Sequence, residues 1–87
     1  MAKLQGELSF ESVPALLARA KELVADAKLD LSGVTTADSA GIALLLELTR
    51  RAQREGRQLV LTAAPKQLRD LIGFFDLETA LKLEGAA

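Results

Sequence analysis

Asp38-Ser39-Ala40-Gly41 places a hydroxyl beside a carboxylate where a strand-like run meets a strongly apolar segment. A serine there can cap a helix by accepting a hydrogen bond from a first-turn backbone N–H. The same helix terminus tolerates added negative charge, so Ser39 is also the candidate phosphorylation site. Asp30 and Asp38 could be read as a metal or general-base pair. No third ligand accompanies them, and loop carboxylates more often close Asx turns or cap helices. Thr35 and Thr36 read as turn residues that border the same surface. Arg50, Arg51, Arg54 and Arg57 cluster at the far end of the apolar segment, where cations complement a helix dipole and Glu47 can pair with Arg51 at i, i+4.

What the chain lacks narrows the chemistry further. It contains no histidine and no cysteine, so no imidazole base, no thiolate, no disulfide and no Ser-His-Asp triad can be built from it. No Gly-x-x-x-x-Gly-Lys-Ser/Thr loop is present to cradle nucleotide phosphates. A formal net charge of −1 provides no global attraction for nucleic acid or an anionic membrane, and three phenylalanines are the only aromatics. The longest apolar run, Ile42 to Leu46, falls far short of the roughly 20 residues a membrane span needs. Gln5 and Glu7 interrupt the N-terminal stretch where a secretory signal would be apolar. The expectation is a cytoplasmic, non-catalytic protein without cofactor or metal, nucleic-acid partner or direct membrane insertion.

The elements that must position Ser39 follow from hydrophobic spacing. Leu4, Gly6, Leu8 and Phe10 share one parity, which predicts a half-buried first strand over 3–10. Ser12 offers an N-cap and Pro14 suits a first helical turn. Val13, Leu16, Leu17, Ala20, Leu23, Val24 and Ala27 then keep the spacing of one amphipathic helix over 13–27. A second strand covers 29–34, residues 35–38 form a loop, and a second helix runs from Ser39 to Glu55 with Gly56 at its C-terminal end. Leu59 to Thr62 makes a third strand, Pro65 opens a third helix through Phe75, and residues 77–83 fit either a last helical turn or a short strand. With 87 residues, 49% of them hydrophobic, this is one domain over 1–87 with a small core. Phe10, Phe74 and Phe75 are assigned to the core or its edge. Alternation of strand and helix implies an α/β fold, a mostly parallel mixed sheet with the helices packed mainly on one face.

On the second helix, Gly41, Ile42, Leu45, Leu46, Leu48, Thr49 and Ala52 are expected to face inward. Ala40, Ala43, Leu44, Glu47 and Arg51 are then left as an outer stripe beginning beside Ser39. A small, partly apolar stripe of this kind suits partner docking. The expected partner-binding set is Thr35, Thr36, Asp38, Ser39, Ala40, Ala43, Leu44, Glu47 and Arg51.

Gly6-Glu7-Leu8, Asp30-Leu31-Ser32-Gly33-Val34, Asp38-Ser39-Ala40-Gly41-Ile42 and Leu71-Ile72-Gly73-Phe74-Phe75, in that order, resemble the STAS domain family along nearly the whole chain. Two branches of that family bear on function. In anti-sigma factor antagonists, the residue after the motif aspartate is the hydroxyl phosphorylated by a partner kinase, a position held here by Ser39. The small STAS subunit of the Mla phospholipid ABC transporter also carries a hydroxyl there, followed by Ala-Gly. Ala40 stands where many antagonists have a second hydroxyl, and Ala43-Leu44-Leu45-Leu46 looks more like the transporter subunit. The antagonists' extra N-terminal strand and C-terminal helix also look shortened or absent. The resemblance therefore implies an accessory subunit binding and regulating a transporter ATPase, at the inner membrane only through that partner. The alternative it implies is an antagonist bound by an anti-sigma factor serine kinase.

Overall fold

Strands and helices alternate as β1 (Ala2–Leu8), α1 (Val13–Leu17), α2 (Ala20–Leu23), β2 (Lys28–Ala37), α3 (Ser39–Arg54), β3 (Val60–Ala64), α4 (Lys66–Phe74) and β4 (Lys82–Ala86). The structure, a computed structural model, describes residues 2–86; Met1 and Ala87 lie outside the described residues. The strands pair in the order β1-β2-β3-β4. All three pairings are parallel, so the expected mostly parallel sheet has no antiparallel member among the described residues. Right-handed crossovers that advance one strand at a time deliver every helix to the same face of the sheet.

Burial along the strands fits that two-layer arrangement. Leu4, Leu8, Leu29, Leu31 and Leu61 are buried beneath the helices, with Leu23, Leu45, Leu48, Leu68 and Ile72 closing over them. The opposite face is polar: Lys3, Asp30, Thr62 and Glu84 stand in one register row across all four strands. On this face Lys28 approaches Glu84 at 3.9 Å.

Three elements differ from the periodicity. The expected helix over 13–27 is two short helices, parted by a tightened turn in which the Arg19 N–H donates to Leu16 O at 3.0 Å, and the second ends at Leu23. Ser12 stands at the start of α1 without capping it. Its hydroxyl instead accepts from the Ser9 N–H at 2.9 Å and donates to Glu7 O at 2.7 Å, closing the β1–α1 turn. β2 continues through Thr35 and Thr36 to Ala37, where a loop was expected, because β1 lends it backbone partners: Thr36 registers with Glu7 and Ala37 with Leu8. The undecided segment 77–83 ends in β4, a strand.

α3 ends as its sequence anticipates. Gly56 adopts φ +76°, a left-handed conformation that favours glycine. The Gly56 N–H donates to Gln53 O and the Arg57 N–H to Ala52 O, the two bonds of a Schellman motif.

Candidate functional site at the first turn of α3

The Ser39 site lies at the C-terminal edge of the parallel sheet, where β1 and β2 end and α3 begins. Asp38 builds it. Its extended backbone precedes the first helical turn, and its carboxylate accepts from the Ala40 N–H at 2.8 Å and the Gly41 N–H at 3.2 Å. The same carboxylate accepts from the Phe10 N–H at 3.3 Å, while the Asp38 N–H donates to Leu8 O at 3.0 Å. One aspartate thus ties the end of β1 to the start of α3. The helix cap is Asp38, not Ser39, because a carboxylate one residue earlier reaches the N–H groups a serine cap would have taken. Replacing Asp38 with alanine is expected to cost about 1 kcal/mol, read as a lower midpoint in urea denaturation.

Released from capping, Ser39 occupies the first position of α3 with its side chain exposed. Among the described residues none hydrogen-bonds its hydroxyl. On the neighbouring edge, Gln67 at the start of α4 clasps the last residue of β2: the Ala37 N–H donates to Gln67 Oε1 at 3.1 Å and Gln67 Nε2 donates to Ala37 O at 3.2 Å. Gln67 therefore holds the approach to the motif in place, a role no local sequence signal announces.

Gly41 explains the small residue in the motif. A Cβ at this position would lie 2.7 Å from both Leu8 Cβ and Leu8 O. α3 can rest on the end of β1 only where it presents bare backbone.

A groove of about 300 Å3 opens beside Ser39, lined by Ser39, Ile42, Ala43, Leu46, Phe75 and Leu77. No charged side chain lines it. Phe74 lies edge-on against Phe75, with ring centroids 5.4 Å apart. Phe10, whose N–H bonds the motif aspartate, is 81% exposed, as is Phe74, and Phe75 is 43% exposed. Phe10 and Phe74 therefore lie outside the core and its edge, to which the sequence assigns them, while Phe75 borders the groove with Ile42 and Leu46. β1 stops at Leu8, so its parity does not extend to Phe10, and Phe74 and Phe75 lie at the end of α4, beyond the sheet it covers.

The expected docking stripe on α3 also needs correction. Leu44 is 2% exposed and belongs to the core, whereas Leu46, placed inward from sequence, is only partly buried. Gly41, Leu45, Leu48 and Ala52 mark the centre of the buried arc. On a helical wheel Leu44 falls about 70° from that centre and Leu46 about 130° from it. Arg51 sits between α2 and α3, with Ala20, Lys21 and Val24. Ala40 is half-buried. The structure therefore brings Ser39 and Ala43 together with Leu46, Phe75 and Leu77, and Thr35 and Thr36 stand exposed just upstream. Glu47 and Arg51 belong elsewhere.

The remaining carboxylates are committed locally. Asp30 accepts from the Ser32 N–H at 2.8 Å, the expected Asx turn, and that bond together with the Ser32 side chain and nearby Lys3 holds its carboxyl below the usual range. Glu47 accepts from Arg51 Nε at 2.9 Å, with Arg50 at 3.3 Å and Arg54 at 3.4 Å. The Arg51 bond, backed by the charges of all three arginines, lowers its pKa as well. Among the described residues no three acidic side chains come together to hold a metal ion, and no helix is long and apolar enough to cross a membrane.

The architecture has counterparts among known proteins. A family model described as Mlab, STAS domain matches residues 2–84. The solved structure of the anti-sigma factor antagonist SpoIIAA in its unphosphorylated form superimposes with a TM-score of 0.67 at 18% sequence identity, covering 98% of this chain and 77% of that one. No curated protein matches.

Proposed function

Because this chain belongs to the STAS family, we propose that it is a non-catalytic accessory subunit of an ABC-type phospholipid transporter, binding and regulating the ATPase subunit. The observation that carries this reading is the uncharged groove beside Ser39, on a domain whose match is to the Mlab-type family model. An interface core is depleted in charge and enriched in aromatic and aliphatic anchors, and Leu46, Phe75 and Leu77 fit that description around an open hydroxyl. Thr35, Thr36, Asp38, Ser39 and Ala43 form the rim of the docking surface. The chain supplies no phosphate loop and no imidazole, so ATP is held and hydrolysed by the partner. The protein works in the cytoplasm and reaches the inner membrane only through that partner.

A second reading is supported by the SpoIIAA-like fold and the exposed Ser39 hydroxyl. In that reading the protein is an anti-sigma factor antagonist, and phosphorylation of Ser39 by a serine kinase places a dianion against Asp38 and at the mouth of the groove. Docking would then be broken by like-charge repulsion and by the cost of desolvating the phosphate.

Titration calorimetry against the transporter ATPase subunit and against the serine kinase tests both. Leu46→Arg is expected to weaken binding to the true partner by roughly a hundredfold, since it brings an unpaired charge to the interface core, and Ser39→Asp should weaken it by roughly tenfold by setting a second carboxylate beside Asp38 at the rim. Lys82→Gln, on the polar sheet face, should leave it unchanged. Tight binding to the kinase with no affinity for the ATPase would replace the first reading by the second. Unchanged affinity of both groove variants would move the interface off this surface.

A further inference from the structure

At the opposite end of α3 lies a second cleft of about 280 Å3, formed by Ala20, Lys21 and Val24 on one side and Arg51, Arg54 and Glu55 on the other. Ser39 and Arg51 are twelve residues apart on one helix, so roughly 18 Å of helix axis separates the two surfaces. Neither the docking surface nor the switch hydroxyl accounts for this one.

The cleft holds more positive charge than its own carboxylates can neutralise. Three guanidiniums, those of Arg50, Arg51 and Arg54, converge on the single carboxylate of Glu47. Of these, Arg51 and Arg54 line the cleft and Arg50 does not, so the guanidiniums of the lining exceed Glu47 by one charge. Glu55, the carboxylate in the cleft's lining, is paired with Arg57, which lies outside it. Lys21 adds a further cation, exposed and without an ion pair among the described residues. The C-terminal dipole of α3 opposes this surplus by only about half a charge. The floor, Ala20 and Val24, is apolar and buried. Cations around a small recess with an apolar floor fit a compact oxyanion better than an extended polyanion. Guanidiniums match the tetrahedral oxygens of a phosphate in a way a surface lysine alone does not.

We infer that the cleft between α2 and α3 is a binding site for a phosphate-bearing ligand, held by Arg51, Arg54 and Lys21. Glu47 serves as the resident anion: it keeps the guanidiniums oriented while the site is empty and competes with the incoming phosphate. The ligand is either a soluble phosphate ester or a phospholipid headgroup presented at a bilayer, and the chemistry of recognition is the same for both.

Calorimetric titration of the full chain with sodium pyrophosphate, and co-sedimentation with phosphatidylglycerol or phosphatidylcholine vesicles, test the site and separate the two sources. Saturable pyrophosphate binding supports a soluble ligand. Binding to phosphatidylglycerol vesicles alone supports the lipid source. In either arm, the Lys21→Gln/Arg54→Gln double variant should bind about tenfold more weakly or worse, since it loses charge-assisted contacts. Glu47→Gln should bind several-fold more tightly, because the competing carboxylate is gone. Ser39→Asp should bind as the wild type does, which keeps this result separate from the docking surface. Both double-variant side chains are exposed; if the pair lowers the melting temperature, Lys21→Gln alone carries the comparison. The proposal is overturned if no phosphate probe binds, if the double variant binds like the wild type, or if Lys82→Gln on the sheet face weakens binding equally. Binding of poly-glutamate but not of the phosphate probes would overturn it too.

Discussion

Leu44→Arg is expected to leave no folded protein at room temperature. The side chain is 2% exposed and packs in the same cluster as Leu45, Leu48 and Leu4. Leu→Ala at such a site costs roughly 2–5 kcal/mol, against a total of about 4–13 kcal/mol for a domain of this size. Arginine adds the cost of burying a charge with no partner, which exceeds what remains. Far-UV circular dichroism through a urea series measures both: Leu44→Ala should move the midpoint sharply down, and Leu44→Arg should show no native baseline. A folded Leu44→Arg with wild-type midpoint would mean that α3 is rotated from the orientation described here. The same pair guards the docking experiment. Loss of partner binding by any Leu44 variant reports unfolding, whereas Leu46→Arg, on the partly exposed flank, reports the interface itself.

Gly41→Val is expected to separate α3 from β1. Its Cβ would stand 2.7 Å from the Leu8 carbonyl oxygen and from Leu8 Cβ, and backbone cannot turn aside as a flexible side chain does. α3 must lift, and the bonds from Asp38 N–H to Leu8 O and from Phe10 N–H to Asp38 lengthen with it. Even Gly41→Ala, which gains up to about 1 kcal/mol in helix propensity, should be destabilised, since overpacking a rigid contact costs roughly 1–3 kcal/mol. Gly73 supplies the contrast: near the end of α4, its Cβ would meet only Glu78 Oε1 at 3.6 Å. Gly73→Ala should therefore raise the melting temperature by a few degrees, about 4–8 °C per kcal/mol for a domain this small. Calorimetric melts of the three variants check the order. An unchanged melting temperature for Gly41→Val would refute the close approach.

The alternation of apolar strands with amphipathic helices was enough to reach a parallel α/β sheet, because parallel neighbours cannot be joined without crossovers. Asp38-Ser39-Ala40-Gly41 was legible as a strand-to-helix junction for a local reason: turn chemistry ends on one side and helical spacing begins on the other. Which of Asp38 and Ser39 caps the helix was less legible, since both residue types cap well and only the register of the first turn decides. The surface was legible least. Phe10 reads as apolar whether or not its strand continues, and it faces solvent only because β1 ends two residues earlier. Leu44 and Leu46 lie on opposite flanks of one wheel, and their fates were set by what covers each flank. Thr35 and Thr36 look like a loop until β1 is beside them, for pairing in a parallel sheet is a property of two distant segments. Gln67 belongs to the same class: its amide reaches a backbone thirty residues away.

The wholly parallel sheet bears on how fast the chain acquires its structure. Without an antiparallel neighbour among the described strands, no strand pair can zip from a tight turn, and every pairing waits for a helix-bearing segment to loop back. Loop closure has to precede any reward from pairing, which places such a domain toward the slow end of folding for its length. β1 and β2 are joined through two helices too short to be stable alone. The contacts that fasten the end of β1 to the first turn of α3, Leu8 with Asp38 and Gly41, therefore belong to a late, cooperative step in which strand, turn and helix become ordered together.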